Sequence, residues 1–300
     1  MLDIAAERGY FDEENLSVTV QPGLGTGRNL QQLAAGTAQL AQLDTMSAFT
    51  EYSKTLTGFQ YQQRDETDQG YDNFVLVSLL HRSLMAAIVA KASSGIERPR
   101  DLHAKSVGVI PGGAPFTLFR GLGVAGRMNP DDVQLVPAEG SLLNDMLRTG
   151  QVDATVSFVG EIPTIEQAIG EPVSVIRYAD YMADALGSSW GATREFVDAN
   201  PDVVRRFNRA VLRGLAVAAA DPREAGRIWY RRHRDLQDWT EELAIRSCEL
   251  VAGYFQPVAG KPLGYLDDTL LARGLALLVS LGQAHEALQL STIVRPEFVE

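Results

Sequence analysis

From residue 105 to residue 178 the chain switches back and forth between two periodicities, and that rhythm restricts the fold more tightly than any short motif. KSVGVIPGG (105–113) is an apolar run of strand length closed by a glycine turn. PFTLFRGLGVAG (115–126) has helical spacing with proline in its first turn, and DVQLVPA (132–138) is β-type again. LLNDMLRTG (142–150) then reads as a helix stopped by glycine, VDATVSFVG (152–160) as a strand, PTIEQAIG (163–170) as a short helix and PVSVIRY (172–178) as a strand. Strands that alternate with helices imply an α/β sheet with helices on both faces.

The same alternation starts earlier in the chain. SVTVQPG (17–23) alternates like a strand, RNLQQLAAG (28–36) has helical spacing, AQLAQLD (38–44) is a short strand, and a helix is expected over 46–53. Residues 54–73 are polar and without period, as a surface insertion is. FVLVSLLH (74–81) and LMAAIVAKA (84–92) are continuous apolar runs, the pattern of strands buried on both faces. From about residue 194 onward the pattern is helical. With 300 residues, 45% of them hydrophobic, the chain is long enough for two domains with a well-buried core.

Several classes of function are disfavoured at this point. A net charge of −11 argues against a nucleic-acid surface and against attachment to anionic lipid, so the expected ligand is a small molecule or a protein. The single cysteine, Cys248, excludes an internal disulfide and a cysteine-rich metal site. The histidines at 81, 103, 233 and 285 are scattered without metal-binding spacing, and no P-loop or GxSxG occurs. GLGTGR (23–28) lies between a strand and a helix but misses the dinucleotide pattern at Arg28. Residues 1–11, MLDIAAERGYF, form an amphipathic helix ending at Gly9 with no basic start or cleavage site. A cytosolic protein and an exported one whose signal lies upstream both fit.

ERGYFDEENLSVTV, LAAGTAQLAQLD, SGIERPRDLHAKSVGVIPGG, MNPDDVQLVPA, MLRTGQVDAT and NPDVVRRFNRAVLRGLAVAAADPREA follow one another at characteristic spacings. In that order they resemble the solute-binding proteins of ABC importers in the nitrate, sulfonate, taurine and thiamine-pyrimidine group. The resemblance runs on through LGYLDDTLLARGLALLVSLGQAH and STIVRPEF, covering nearly the whole chain. It implies an α/β protein with the type II periplasmic-binding-protein fold, in which two lobes are joined by two crossover strands around a ligand cleft. Lobe 1 would comprise residues 1–92 and 185–300 and lobe 2 residues 93–184, with LMAAIVAKASSGI leading out of the first lobe. Members of this group open with a strand before the ERGYF helix, whereas this chain starts at the helix. A missing inner strand would leave a gap with unpaired backbone groups, and a first strand and signal upstream are the expectation.

The resemblance also implies where the site lies. Asp44-Thr45-Met46-Ser47 would end a first-lobe strand at the cleft, with Thr45 and Ser47 as donors. The plainer reading, a helix N-cap, fits the same residues. His81 and Ser83 flank a turn at an equivalent strand end. In lobe 2, Gly112, Gly113, Ala114, Phe116 and Thr117 lead into a helix whose N-terminus would face the cleft, and a structural glycine turn is the alternative. Phe158, Gly160 and Glu161 end another strand, Glu161 being either a ligand acceptor or a cap. Phe116, Phe158 and Trp190 could stack on a flat ligand or belong to the core. These groups favour a heteroaromatic or amine-bearing ligand, such as a thiamine-precursor-like pyrimidine, over a sulfonate or nitrate-type anion. No cofactor and no metal are expected. The partners implied are a small-molecule ligand and ABC permease subunits, the protein being a monomer at the periplasmic or cell surface. Pyrimidine-precursor synthases share the fold, but their cysteine-rich segment is missing here, so an enzyme is not expected. A ligand-sensing domain uncoupled from transport is the remaining alternative.

Overall fold

The computed structural model describes residues 1–23, 25–59, 70–111, 113–255, 257 and 259–299. The first part of the chain forms α1 (Leu2–Glu7), α2 (Tyr10–Glu13), α3 (Thr26–Ala34), β1 (Ala41–Asp44), α4 (Thr45–Ser53), β2 (Val75–Leu79) and β3 (Ala86–Lys91). The middle forms β4 (Ser106–Val109), α5 (Ala114–Thr117), α6 (Phe119–Ala125), β5 (Gln134–Pro137), α7 (Gly140–Thr149), β6 (Ala154–Phe158), α8 (Ile162–Ile169) and β7 (Val173–Arg177). The last part forms β8 (Ser188–Ala192), α9 (Arg194–Ala199), α10 (Pro201–Ala220), α11 (Pro222–Arg232), α12 (Glu241–Ala252) and α13 (Asp268–Ser280). Left-handed glycines close two of the lobe-2 helices: Gly150 after α7 at φ 74° and Gly170 after α8 at φ 76°.

The strands build two sheets. The first has the order β1-β8-β2, with β8 antiparallel to both neighbours, and the second has the order β5-β4-β6-β3-β7. In the second sheet β4 runs parallel to β5 and β6, as helical crossovers require, while β3 is antiparallel to β6 and β7. Ala86–Lys91, which the resemblance implied was part of an outgoing crossover, is therefore an inner strand of the second sheet. The chain passes between the sheets at residues 80–85 and returns just before β8. β3 is apolar almost throughout because both its faces are covered, and Ile88 and Val89 are fully buried. One apolar cluster runs through both sheets and includes Leu43, Leu76, Ile88 and Val156. Trp190, Phe207 and Val77 belong to a second cluster against α10, and Val89, Leu147 and Ile165 to a third on the far side of the second sheet.

The two edges of the first sheet differ. Residues near the carboxyl end pair with β2, since Leu76 donates its N–H to the Ile293 carbonyl at 2.7 Å and accepts from Arg295 at 2.9 Å. Among the described residues β1 has a strand partner on one side only, and side chains of α3 bond its other edge at Gln42 and Asp44. That edge faces a cavity of about 400 Å³, and the far wall of that cavity is the stretch Leu16–Gly23. SVTVQPG, expected as a strand, is extended but carries no ladder among the described residues, and Val20 is 59% exposed. The alternation is genuine, but a strand needs a neighbour within hydrogen-bonding distance, and here the cavity takes the neighbour's place. Other differences are local. The expected helix over 115–126 is two pieces, α5 and α6, and residues 60–69 of the 54–73 insertion lie outside the described residues.

Candidate functional site

Between the carboxyl-terminal ends of the strands of both sheets lies a cleft of about 790 Å³. β1 delivers Asp44 to its first-lobe wall. Extended backbone ends at this residue, whose carboxylate caps α4 by accepting from the Ser47 N–H at 2.7 Å. Thr26, at the start of α3, accepts from the Asp44 N–H at 2.9 Å, and Asn29 donates to the Gln42 carbonyl at 2.9 Å. These two bonds tie the amino end of α3 to β1 and bring Arg28 to the cleft. Burial raises the Asp44 carboxyl to about 6, against the opposing pull of the Ser47 and Met46 bonds.

The second-lobe wall is built by the ends of β4 and β6. Gly113 and Ala114 open α5 beside Pro115, and Phe158 presents a ring that is 40% exposed. Ser157 donates to Glu161 at 2.6 Å, which fixes that carboxylate on the wall. A third wall comes from the segment between α11 and α12, which contributes Asp238 and Trp239. The cleft thus combines carboxylates from Asp44, Glu161 and Asp238 with a single described arginine, Arg28. Such a set accepts hydrogen bonds from cationic or N–H-bearing groups and repels a bare anion.

Of the candidates read from the sequence, Gly113, Ala114, Phe158 and Glu161 meet at this cleft. The other described candidates are not among its lining residues. Thr45 is buried, its hydroxyl bonded to that of Ser189 at 2.8 Å, and this bond anchors α4 to β8. Met46 is a core residue, and the buried Ser47 hydroxyl has no partner among the described residues. The helix that starts straight after Asp44 turns these side chains inward, leaving Asp44 at the surface of the cleft. His81 is buried at the passage between the sheets, with Nδ1 3.3 Å from both the Ser83 carbonyl and the Ser188 N–H. Desolvation lowers its imidazole to about 4. A Cβ on Gly187 would fall 1.8 Å from that nitrogen, so glycine is needed there. Phe116 packs on the core, and the Thr117 carbonyl accepts from Gln283. Gly160 faces Val251 of α12. Trp190 packs edge-on against Phe207 at 5.0 Å and lines the cavity beside β1. Gly112 lies outside the described residues.

Sequence reasoning missed Thr26, Arg28, Asp238 and Trp239. GLGTGR held a signal for the first pair, because a glycine turn between a strand and a helix can present backbone and side chain to a ligand. Nothing local marks Trp239. Its place depends on α12 crossing to the second lobe, where Arg246 bonds to Glu166 at 2.7 Å.

Two lobes around a polar cleft, with walls from both sheets, define the architecture of solute-binding proteins. The chain belongs to the NMT1/THI5 like family, whose model matches residues 2–225. Solved structures with the same fold include the alkanesulfonate-binding protein SsuA from Xanthomonas axonopodis pv. citri bound to MOPS. It is 12% identical with a TM-score of 0.71, over 98% of this chain and 93% of that one. The periplasmic nitrate-binding protein NrtA from Synechocystis PCC 6803 is 13% identical with a TM-score of 0.71, over 99% and 83%. The desulfurization enzyme DSZB shares the fold at 16% identity and a TM-score of 0.62, over 99% and 93%. Among curated relatives, the riboflavin-binding protein RibY of Chloroflexus aurantiacus is 25% identical over 74% of this chain and 64% of its own length. A putative binding protein of Brucella abortus is 29% identical over 45% of this chain, a match spanning 42% of that relative.

Proposed function

We propose that the protein is the solute-binding component of an ABC importer, acting outside the cytoplasmic membrane, and that it captures a planar nitrogen heterocycle bearing N–H or cationic groups. The observation that carries the reading is the cleft itself, with Asp44 on one lobe facing Glu161 on the other across a space lined by Phe158 and Trp239. A ligand bridging both walls gains its full set of contacts only when the lobes close on it, so it stabilises the closed form by its differential affinity. The closed form is what a permease would recognise. A sulfonate or nitrate-type anion is less well served, because Arg28 is outnumbered by the carboxylates.

The likeness in fold to DSZB is the observation behind a catalytic alternative. Against it, the single thiol, Cys248, lies half-buried on α12 and is not part of the cleft wall, and burial raises its pKa.

Isothermal titration with riboflavin, 4-amino-2-methylpyrimidine, taurine and nitrate tests the ligand class. Binding of a heterocycle, weakened about tenfold by Glu161→Gln, is the expected result, since the amide keeps one acceptor but loses the charge. Tighter binding of taurine or nitrate by the same variant reverses the assignment.

A further inference from the structure

Trp239 lies on the short connection between α11 and α12, far in sequence from both sheets, yet it reaches the cleft. Its ring is backed by Trp229 of α11, with centroids 4.5 Å apart and planes at 58°. Trp229 in turn stacks on His233 at 4.7 Å and 30°, and His233 Nε2 lies 3.2 Å from the Asp3 carboxylate of α1. A chain of contacts therefore runs from the amino-terminal helix to the cleft and holds the indole in place before any ligand arrives. Across the same cleft, large apolar side chains are left in solvent: Phe158 is 40% exposed and Ile110 41%. Leu236, three residues from Trp239, is 41% exposed. Of these, Phe158 and Ile110 line the cleft itself, and exposed apolar groups beside carboxylates call for a flat apolar body with polar edges.

We propose that Trp239 is the stacking platform of the site: a pre-set aromatic surface, sharing the cleft lining with Phe158, that selects planar heterocycles over flexible amines. The assignment rests on the ligand-binding reading of the cleft. The carboxylates supply charge and hydrogen bonds that any amine can use. Trp239 supplies what only a flat ring can exploit, because stacking requires parallel contact over the whole face of the ligand. Its backing by Trp229 matters for the same reason, since a platform already ordered loses little entropy on binding.

The test compares two probes on three proteins by calorimetry: 4-amino-2-methylpyrimidine, which is flat, and putrescine, which is not, against wild type, Trp239→Ala and Trp239→Phe. Loss of one stacking partner is expected to weaken the pyrimidine about tenfold in the alanine variant, with phenylalanine within about threefold of wild type. Putrescine affinity should stay level across all three. Equal pyrimidine affinity in wild type and Trp239→Ala overturns the platform assignment and leaves the cleft reading standing. A wild-type protein that binds neither probe overturns the cleft reading and the platform together. Trp239 is half-buried on a connection, so the alanine variant should fold, and an unchanged thermal midpoint without ligand verifies that.

Discussion

Two strands, β3 in the second sheet and β1 in the first, are supported very differently. In the second sheet, β3 pairs along its length with β6 on one side and β7 on the other. In the first, β1 pairs with β8 alone and turns its other edge to a cavity of about 400 Å³. Both sheets send strand ends to the ligand cleft, the first through β1, an edge strand, and the second through β6, an inner strand between β4 and β3. Local stability follows the number of buried contacts and protected backbone bonds, which makes the second lobe the rigid reference and β1 the adjustable element. Asp44, the carboxylate with the raised pKa, sits at the tip of that less supported strand.

The sharpest way to break the contrast is to empty a side chain on each side of it. Ile88 of β3 is fully buried between two ladders, and Ile88→Ala should cost about 4 kcal/mol in urea unfolding, the sum of lost transfer energy and an unrelaxed cavity. Leu40, beside the open edge of β1, is half-buried and already borders empty space, so Leu40→Ala should cost only about 1 kcal/mol. Equal losses would show that the edge of β1 is as tightly packed as β3.

A second effect sets the two desolvated titrating groups against each other. His81 is held near 4 in the fold against an ordinary value of 6.5, so its contribution to stability is full above pH 6.5 and lost as pH falls toward 4. Asp44 is held near 6 against an ordinary value of 3.8, so its contribution is full below pH 3.8 and lost as pH rises toward 6. Each amounts to up to about 3 kcal/mol, and between pH 4 and 6 they run in opposite directions. The wild type should therefore show a nearly level stability over that window. Asp44→Asn should expose a rise with pH and His81→Asn a fall, both read from urea midpoints at half-unit steps. Parallel curves for the two variants would mean that neither group is desolvated as described.

How much of this was legible in the sequence differs between the lobes for the same reason. The second module, KSVGVIPGG to PVSVIRY, folds largely as its periodicity reads, because each of its strands finds a neighbour in the same sheet, even β7, whose partner β3 precedes the module. SVTVQPG reads equally well as a strand, yet pairing is a property of two chains and the partner edge is not there. Phe158 and Glu161, read from the sequence at a strand end, line the cleft because β6 ends there. Thr45 lies away from the cleft lining because a strand end does not reveal which of its neighbours turn inward, and Trp190 because the expected crossover is an inner strand, β8. Trp239 was out of reach, since its position depends on long-range packing of α12 against α8.

The smallest predicted effect probes the stretch that differs most from its own sequence pattern. Val20 alternates with Val18 as in a strand but is 59% exposed, and Val20→Thr keeps the β-branched shape while exchanging a methyl for a hydroxyl. In an unpaired, solvated segment that exchange should shift the unfolding free energy by no more than about 0.5 kcal/mol. If Ser17–Gln21 instead lay against a partner strand, Val20 would be one of its buried positions, and the polar hydroxyl would cost over about 1 kcal/mol. Hydrogen exchange separates the cases independently: fast exchange at Thr19 and Val20, beside slow exchange at Ile88 and Val89, fits an unladdered stretch beside β1 and an inner strand paired on both sides. Slow exchange at all four would mean that the free edge of β1 is occupied in solution and that both walls of the cleft are equally rigid.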